Sequence, residues 1–209
     1  MNTEKRNFDK DAPTWDHEPR RLRLANDVAG AIVEAVKPDR HMDVLDFGCG
    51  TGLLTLALQP LVRSITGIDS SRGMLDVLEG KVRSQNLANV KTRHVDLEKG
   101  DKLDGSYHLV VSSMTLHHIR EVAPLLGQLC RLLRPAGHLC IADLEPDDGQ
   151  FHSNNEGVCH FGFAQAELRQ AFTGAGLTEL RYQTAAKVPK PIAGGGERVF
   201  TVFLMTGRK

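Results

Sequence analysis

Asp46-Phe-Gly48-Cys-Gly50-Thr-Gly52 sets an acid at the mouth of a three-glycine loop. Bare glycines let a backbone approach a ligand closely. A dinucleotide fingerprint would read G-x-G-x-x-G, but here the third glycine comes one residue early and Leu53 stands in its place. An acid beside the loop suits a cationic amine better than a pyrophosphate. The N-terminus of the next helix, at Thr51-Gly52, can receive a carboxylate, and a ligand bearing both groups is an amino acid. Asp69 lies 17 residues beyond Gly52, a spacing that suits a carboxylate accepting from a ribose diol. It equally suits an N-cap, a task open also to Ser70 or Ser71. Asp96 is placed to accept from an exocyclic amine such as that of adenine.

A second set of reactive side chains lies further along. His117-His118, His152, Cys159 and His160 are of the types that move protons or bind zinc. Their spacing matches no short zinc pattern, and adjacent Cys159 and His160 would project apart if extended, so no metal is expected. The segment 145–163 is longer than ordinary connections, which suits a functional loop. Its Phe151, Phe161 and Phe163 argue against a wet, disordered one, and it is expected to act as a lid. Trp15-Asp-His-Glu-Pro-Arg20-Arg21 reads either as an exposed cap before a helix that Pro19 opens or as a flap anchored by the only Trp.

These residues need strand ends to hold them. Leu24, Val28, Ile32 and Val36 recur at helical spacing from Arg20 to Val36. Strand, glycine turn and helix follow over 44–58, and the alternation repeats with strands at 64–68, 90–95 and 107–112 and helices at 71–84 and 122–133. Arg134-Pro-Ala-Gly137 is expected to end the last of these helices before a strand at 139–142. A helix at 165–176 and strands at 179–187 and 199–206, turned by Gly194-Gly195-Gly196, complete the chain. Such a pair gives a mostly parallel sheet an antiparallel edge. The reading is one α/β domain over 20–209 behind an N-terminal segment, 1–19. The first dozen residues are polar and are expected to be mobile unless docked. In open parallel sheets ligands bind outside the carboxyl ends of the strands, where the acids and histidines above are placed.

An amino acid, a ribose and an adenine together make up S-adenosylmethionine. The chain resembles the class I S-adenosylmethionine-dependent methyltransferases, in particular a small group, type 11, related to ubiquinone-biosynthesis methyltransferases. The resemblance rests on VLDFGCGTG (44–52), GIDSSRGML (67–75), VDL (95–97), YHLVVSSMTLHHI (107–119) and LLRPAGHLCIAD (132–143). It implies a doubly wound seven-stranded Rossmann-like sheet of order 3-2-1-4-5-7-6 with an antiparallel last strand. It also implies that Asp46, Gly48 and Gly50 hold the methionine part and Asp69 the ribose hydroxyls, with Ser70 beside it. Met74 would lie on the adenine, Asp96 and the Leu97 amide would read its edge, and Ser112 or Ser113 would line the reacting end. In the flap reading Trp15 covers the cofactor, and Arg20 or Arg21 meets the methionine carboxylate. His117, His152 and His160 are the candidate bases, the lid bringing the last two towards the methyl group.

Composition bounds the rest. The 209 residues carry 26 basic and 26 acidic side chains and are 41% hydrophobic, enough for a core. The charge balance argues against a dedicated nucleic-acid binder, no window approaches a membrane span, and the charged N-terminus does not read as a signal peptide. Four cysteines without a C-x-x-C pair suit a reducing cytoplasm. The expected function is methyl transfer from S-adenosylmethionine to a small molecule, leaving S-adenosylhomocysteine, by a monomer or homodimer. Methylation of RNA or protein, and non-catalytic binding of the cofactor, are the alternatives.

Overall fold

The computed structural model describes residues 6–191 and 195–209. Its strands are β1 (Asp43–Phe47), β2 (Ser64–Asp69), β3 (Val90–His94), β4 (Tyr107–Ser113), β5 (Leu133–Leu144), β6 (Thr178–Pro191) and β7 (Glu197–Arg208). They form one sheet in the order β3-β2-β1-β4-β5-β7-β6. Neighbours are parallel except at β7, which runs antiparallel to both β5 and β6. The helices are α1 (Phe8–Asp11), α2 (Pro19–Val36), α3 (Leu53–Leu58), α4 (Arg72–Ser84), α5 (Val122–Leu132) and α6 (Gln165–Gly174). None of the described helices is long and apolar enough to cross a membrane.

The two-residue pleat divides the core. Val44, Leu109, Val111, Val202 and Leu204 pack on one face with Val28 and Ile32 of α2 and Leu54 and Leu58 of α3. Their chain neighbours Leu45, Val110 and Phe203 face the other way, onto Leu125 and Leu129 of α5 and Leu168 and Phe172 of α6. With both faces covered, the central strands are apolar at nearly every position, and their carboxyl ends are held in one row.

Two expectations change. Arg134–Gly137 does not separate helix from strand, because β5 begins at Leu133, directly after α5. The turn residues are absorbed as an irregularity in the β4–β5 register, with Ala136 at φ +63°. Ala136 N–H donates to the Lys209 carbonyl, and Lys209 N–H to that of Gly137, both at 3.0 Å. The hairpin strands β6 and β7 also run longer than periodicity suggests. Of the turn glycines, Gly195 and Gly196 have φ above +90°, while Gly194 lies outside the described residues.

The N-terminal segment is docked, not loose. Asp9 accepts from the Ser71 hydroxyl (2.5 Å) and the Gly73 N–H (2.9 Å), capping α4 from outside. Asp16 accepts from the Thr51 hydroxyl at 2.6 Å and pairs with Lys81 at 2.5 Å. Residues 1–5 of the stretch expected to be mobile lie outside the described residues.

Candidate active site

At the exit of β1 the chain must turn tightly under helix α4. Gly48, Gly50 and Gly52 have φ of +72°, +53° and +82°, the left-handed region that favours glycine. A Cβ on Gly52 would meet Leu78 at 2.3 Å, whereas one on Gly50 would meet nothing nearer than Met74 Sδ at 4.0 Å. Gly52 is therefore required by packing, and Gly50 presents bare backbone to open space. Asp69 ends β2 and ties this loop down, accepting from Gly50 N–H and Ser71 N–H, both at 2.8 Å. The N-cap of α4 is Ser71, whose hydroxyl accepts from Met74 N–H at 3.1 Å; Asp69 instead supports the loop and lines the cavity. Asp69→Ala is expected to lower the melting temperature as well as any ligand affinity, each lost bond costing ~1–3 kcal/mol.

Asp46 is 1% exposed and accepts from the Thr55 hydroxyl at 2.5 Å. Burial pushes its carboxyl up to about 7; the Thr55 hydroxyl opposes the rise and the nearby Asp69 charge adds to it. A buried carboxylate in this condition is completed by a cation. Asp96, also buried, caps the turn Leu97–Lys99 by accepting from Glu98 N–H at 3.1 Å.

All the expected cofactor residues but one line a single cavity of about 820 Å³, and His117 and His152 line its other end. The exception is Ser112. Its hydroxyl turns inward to the Phe47 carbonyl at 2.8 Å and joins β4 to β1, so strand alternation leaves Ser113 to face the cavity. The chain then kinks at Met114, whose φ is +54°, and delivers the histidines.

His117 is 1% exposed, with Nδ1 2.7 Å from Asp143 Oδ1 and its backbone N–H 3.2 Å from Oδ2. Burial alone would push the Asp143 carboxyl up, but the His117 ring and two backbone N–H groups hold it below its ordinary value. Asp143 engages Nδ1, which leaves Nε2 as the ring nitrogen outside that pair. Nε2 is buried without a protein partner, as is Nε2 of His152, whose ring centroid lies 5.0 Å away. Burial pushes His152 down to about 3 and His118 down to about 4, so both are neutral at physiological pH. Asp143 escaped the sequence reading, although an acid closing the apolar run of β5 was a usable signal.

His160 is a correction. Its Nε2 lies 2.9 Å from the Ile119 carbonyl and its ring packs on Phe163 at 5.1 Å, outside the cavity. His160→Gln should therefore leave turnover unchanged and cost at most about 1 kcal/mol of stability, read by chemical denaturation. The three phenylalanines likewise divide. Phe151 is buried against Phe200 and lines the cavity, Phe163 is buried beside Leu168 and Phe172 on the opposite face, and Phe161 is 49% exposed. The segment is held in place by Asp147, which accepts from Gly149 N–H and Phe151 N–H at 2.9 and 3.0 Å. Lys190 of β6 donates to the Phe151 carbonyl.

Trp15, Glu18, Arg20 and Arg21 line the cavity. Arg20 is held by Glu18 through two contacts of 3.1 and 3.2 Å, whereas Arg21 stacks on Trp15 at 3.7 Å and donates to its carbonyl. Phe8 closes the wall against Trp15 and His118. No group of three or more His, Cys, Asp or Glu suited to a metal occurs among the described residues.

Residues 44–137, from β1 into β5, match a family model described as a methyltransferase domain. An uncharacterised methyltransferase of Schizosaccharomyces pombe is 34% identical over 184 residues, covering 80% of this chain and 64% of that protein. Together with the strand order, this decides the family. The chain belongs to the class I S-adenosylmethionine-dependent methyltransferases. Two solved structures share the fold of this chain. One is a chain of the complex between the Haloferax volcanii Trm112 methyltransferase activator and a candidate methyltransferase (TM-score 0.75, 18% identity, 100% of this chain and 98% of that one). The other is Haemonchus contortus phosphoethanolamine N-methyltransferase 2 in complex with S-adenosyl-L-methionine (TM-score 0.68, 15% identity, 87% and 52%). The chain spans 64%, 29% and 45% of the lengths of the first three curated relatives it matches.

Proposed function

We propose that the chain binds S-adenosylmethionine against the glycine loop and transfers its methyl group to a small-molecule nucleophile entering at the histidine wall. The observation that carries this reading is one cavity with two chemically different ends. Its acidic end holds Asp46, Asp69 and Asp96, and its other end holds His117 and His152 with unpartnered Nε2 atoms. The acidic end fits the donor: Gly50 leaves room for the amino-acid part, and the buried Asp46 lacks the cation that an α-ammonium would provide. Asp69 would hold the ribose, Met74, Asp96 and Leu97 the adenine, and Trp15 would cover the bound molecule. Of the two arginines, Arg21 suits the methionine carboxylate better, because Arg20 is occupied by Glu18. The complex of the Haemonchus enzyme supports the choice of cofactor.

S-adenosylmethionine supplies an electrophilic methyl group with a neutral leaving group, so alignment and exclusion of water are the protein's main tasks. His117 adds a place for the acceptor's proton at Nε2, with Asp143 holding the ring and stabilising the charge it gains. The test is S-adenosylhomocysteine release across thiols, phenols, amines and quinols. Release that depends on one acceptor class supports the transferase; cofactor binding with no release across the whole panel would leave a binding protein.

A further inference from the structure

Among the described residues, two half-buried cations line the cavity with no carboxylate at ion-pair distance, Arg21 and Lys190. Their neighbours are paired, Arg6 with Asp11 at 2.6 Å and Arg20 with Glu18 at 3.1 Å. Burial lowers the pKa of both unpaired groups, and the Arg20 and Arg21 charges lower that of Lys190 further. Two such charges facing one space call for anions. On the donor assignment proposed above, S-adenosylmethionine brings a single carboxylate, and the forked guanidinium of Arg21 is the apt partner for it. Lys190 is then left over.

Its position is specific. Nζ donates to the Phe151 carbonyl and lies 4.2 Å from the centre of the Phe151 ring. One N–H is used there, and two remain for a ligand. Next along the chain is His152, whose Nε2 has no partner, and beyond it His117 with the same vacancy. A cation and two ring nitrogens without partners thus line the same cavity.

We propose that the methyl acceptor carries an anionic group, a carboxylate or a phosphate, bound by Lys190 beside His152, with its nucleophilic atom turned towards His117 Nε2. Lys190 on this assignment sets specificity and takes no part in holding the donor.

Trp15, the only tryptophan, lines the cavity and provides the signal. S-adenosylhomocysteine is added first, and the loaded protein is titrated with benzoate, phenyl phosphate and benzamide while Trp15 fluorescence is followed. Both acids should bind at least about tenfold tighter than the amide, the discrimination of one charge-assisted hydrogen bond. The tighter of the two acids names the anion. Lys190→Met should erase the preference and Lys190→Arg should keep it, with S-adenosylhomocysteine affinity unchanged in both. Equal constants for acid and amide, no response to either acid, or a preference that survives Lys190→Met would overturn the assignment. Failure of the first addition to bind would instead overturn the donor reading and this inference with it.

Discussion

Asp46→Asn is expected to weaken S-adenosylmethionine binding by at least about a hundredfold without destabilising the free protein above pH 7. Removing one member of a buried charge pair costs ~3–5 kcal/mol because the other charge is stranded. In the free protein that pair does not exist: the carboxyl is buried, held by Thr55 alone, and raised to about 7. The unfolded carboxyl ionises near 3.8 and the folded one only near 7, so between those values the unfolded state binds fewer protons. Stability contributed at Asp46 is therefore lost as pH rises through that window. Asparagine removes this dependence while its side-chain oxygen still accepts from Thr55. For the ligand the sign reverses, since a cation needs the ionised carboxylate. Wild-type affinity should rise by up to about tenfold per pH unit between pH 5 and 7 and then level. The variant's affinity should be flat across that range. Calorimetric titration at several pH values reads both, and parallel profiles would remove Asp46 from the site.

The largest expected loss of turnover belongs to His117→Gln. For an acceptor that must lose a proton, the rate should fall by roughly 10²–10⁴, with S-adenosylhomocysteine affinity unchanged. Glutamine still offers Asp143 an N–H, so the fold is spared the stranded buried carboxylate that His117→Ala would create. Asp143→Asn makes the complementary test. It permits the other ring tautomer, in which Nε2 carries the hydrogen and cannot accept one, and turnover should fall although every side chain keeps its place. Single-turnover rates with a proton-bearing acceptor check both variants. Full activity in His117→Gln would move the base elsewhere or show that the acceptor arrives already deprotonated.

The glycine-loop end of the cavity was legible because its residue types are forced by geometry. Left-handed backbone at Gly48, Gly50 and Gly52 restricts these positions chiefly to glycine, and strand ends fix where Asp46, Asp69 and Asp96 emerge. The histidine end was less legible for two physical reasons. A one-residue difference inverts direction in extended chain, so Ser112 faces inward where Ser113 faces the cavity, and His160 faces Ile119 while its neighbour Cys159 lines the cavity. Contacts made across long stretches of chain leave no local pattern. Asp143 reaches His117, Asp16 reaches Thr51, and Lys190 reaches Phe151 from a hairpin strand whose spacing says nothing of the cavity. The Arg134–Gly137 turn misled for a related reason: pairing with the last residue, Lys209, carries β5 through a sequence that reads locally as a stop.

The central claim is that the glycine-loop cavity takes S-adenosylmethionine. It is tested most directly by melting the protein in the presence of S-adenosylmethionine, S-adenosylhomocysteine, NAD and ATP. Each of the first two, at a hundred times its dissociation constant, should add about 2.7 kcal/mol of stability and raise Tm, while NAD and ATP leave it unchanged. A rise with NAD alone, or with none of the four, would contradict the account.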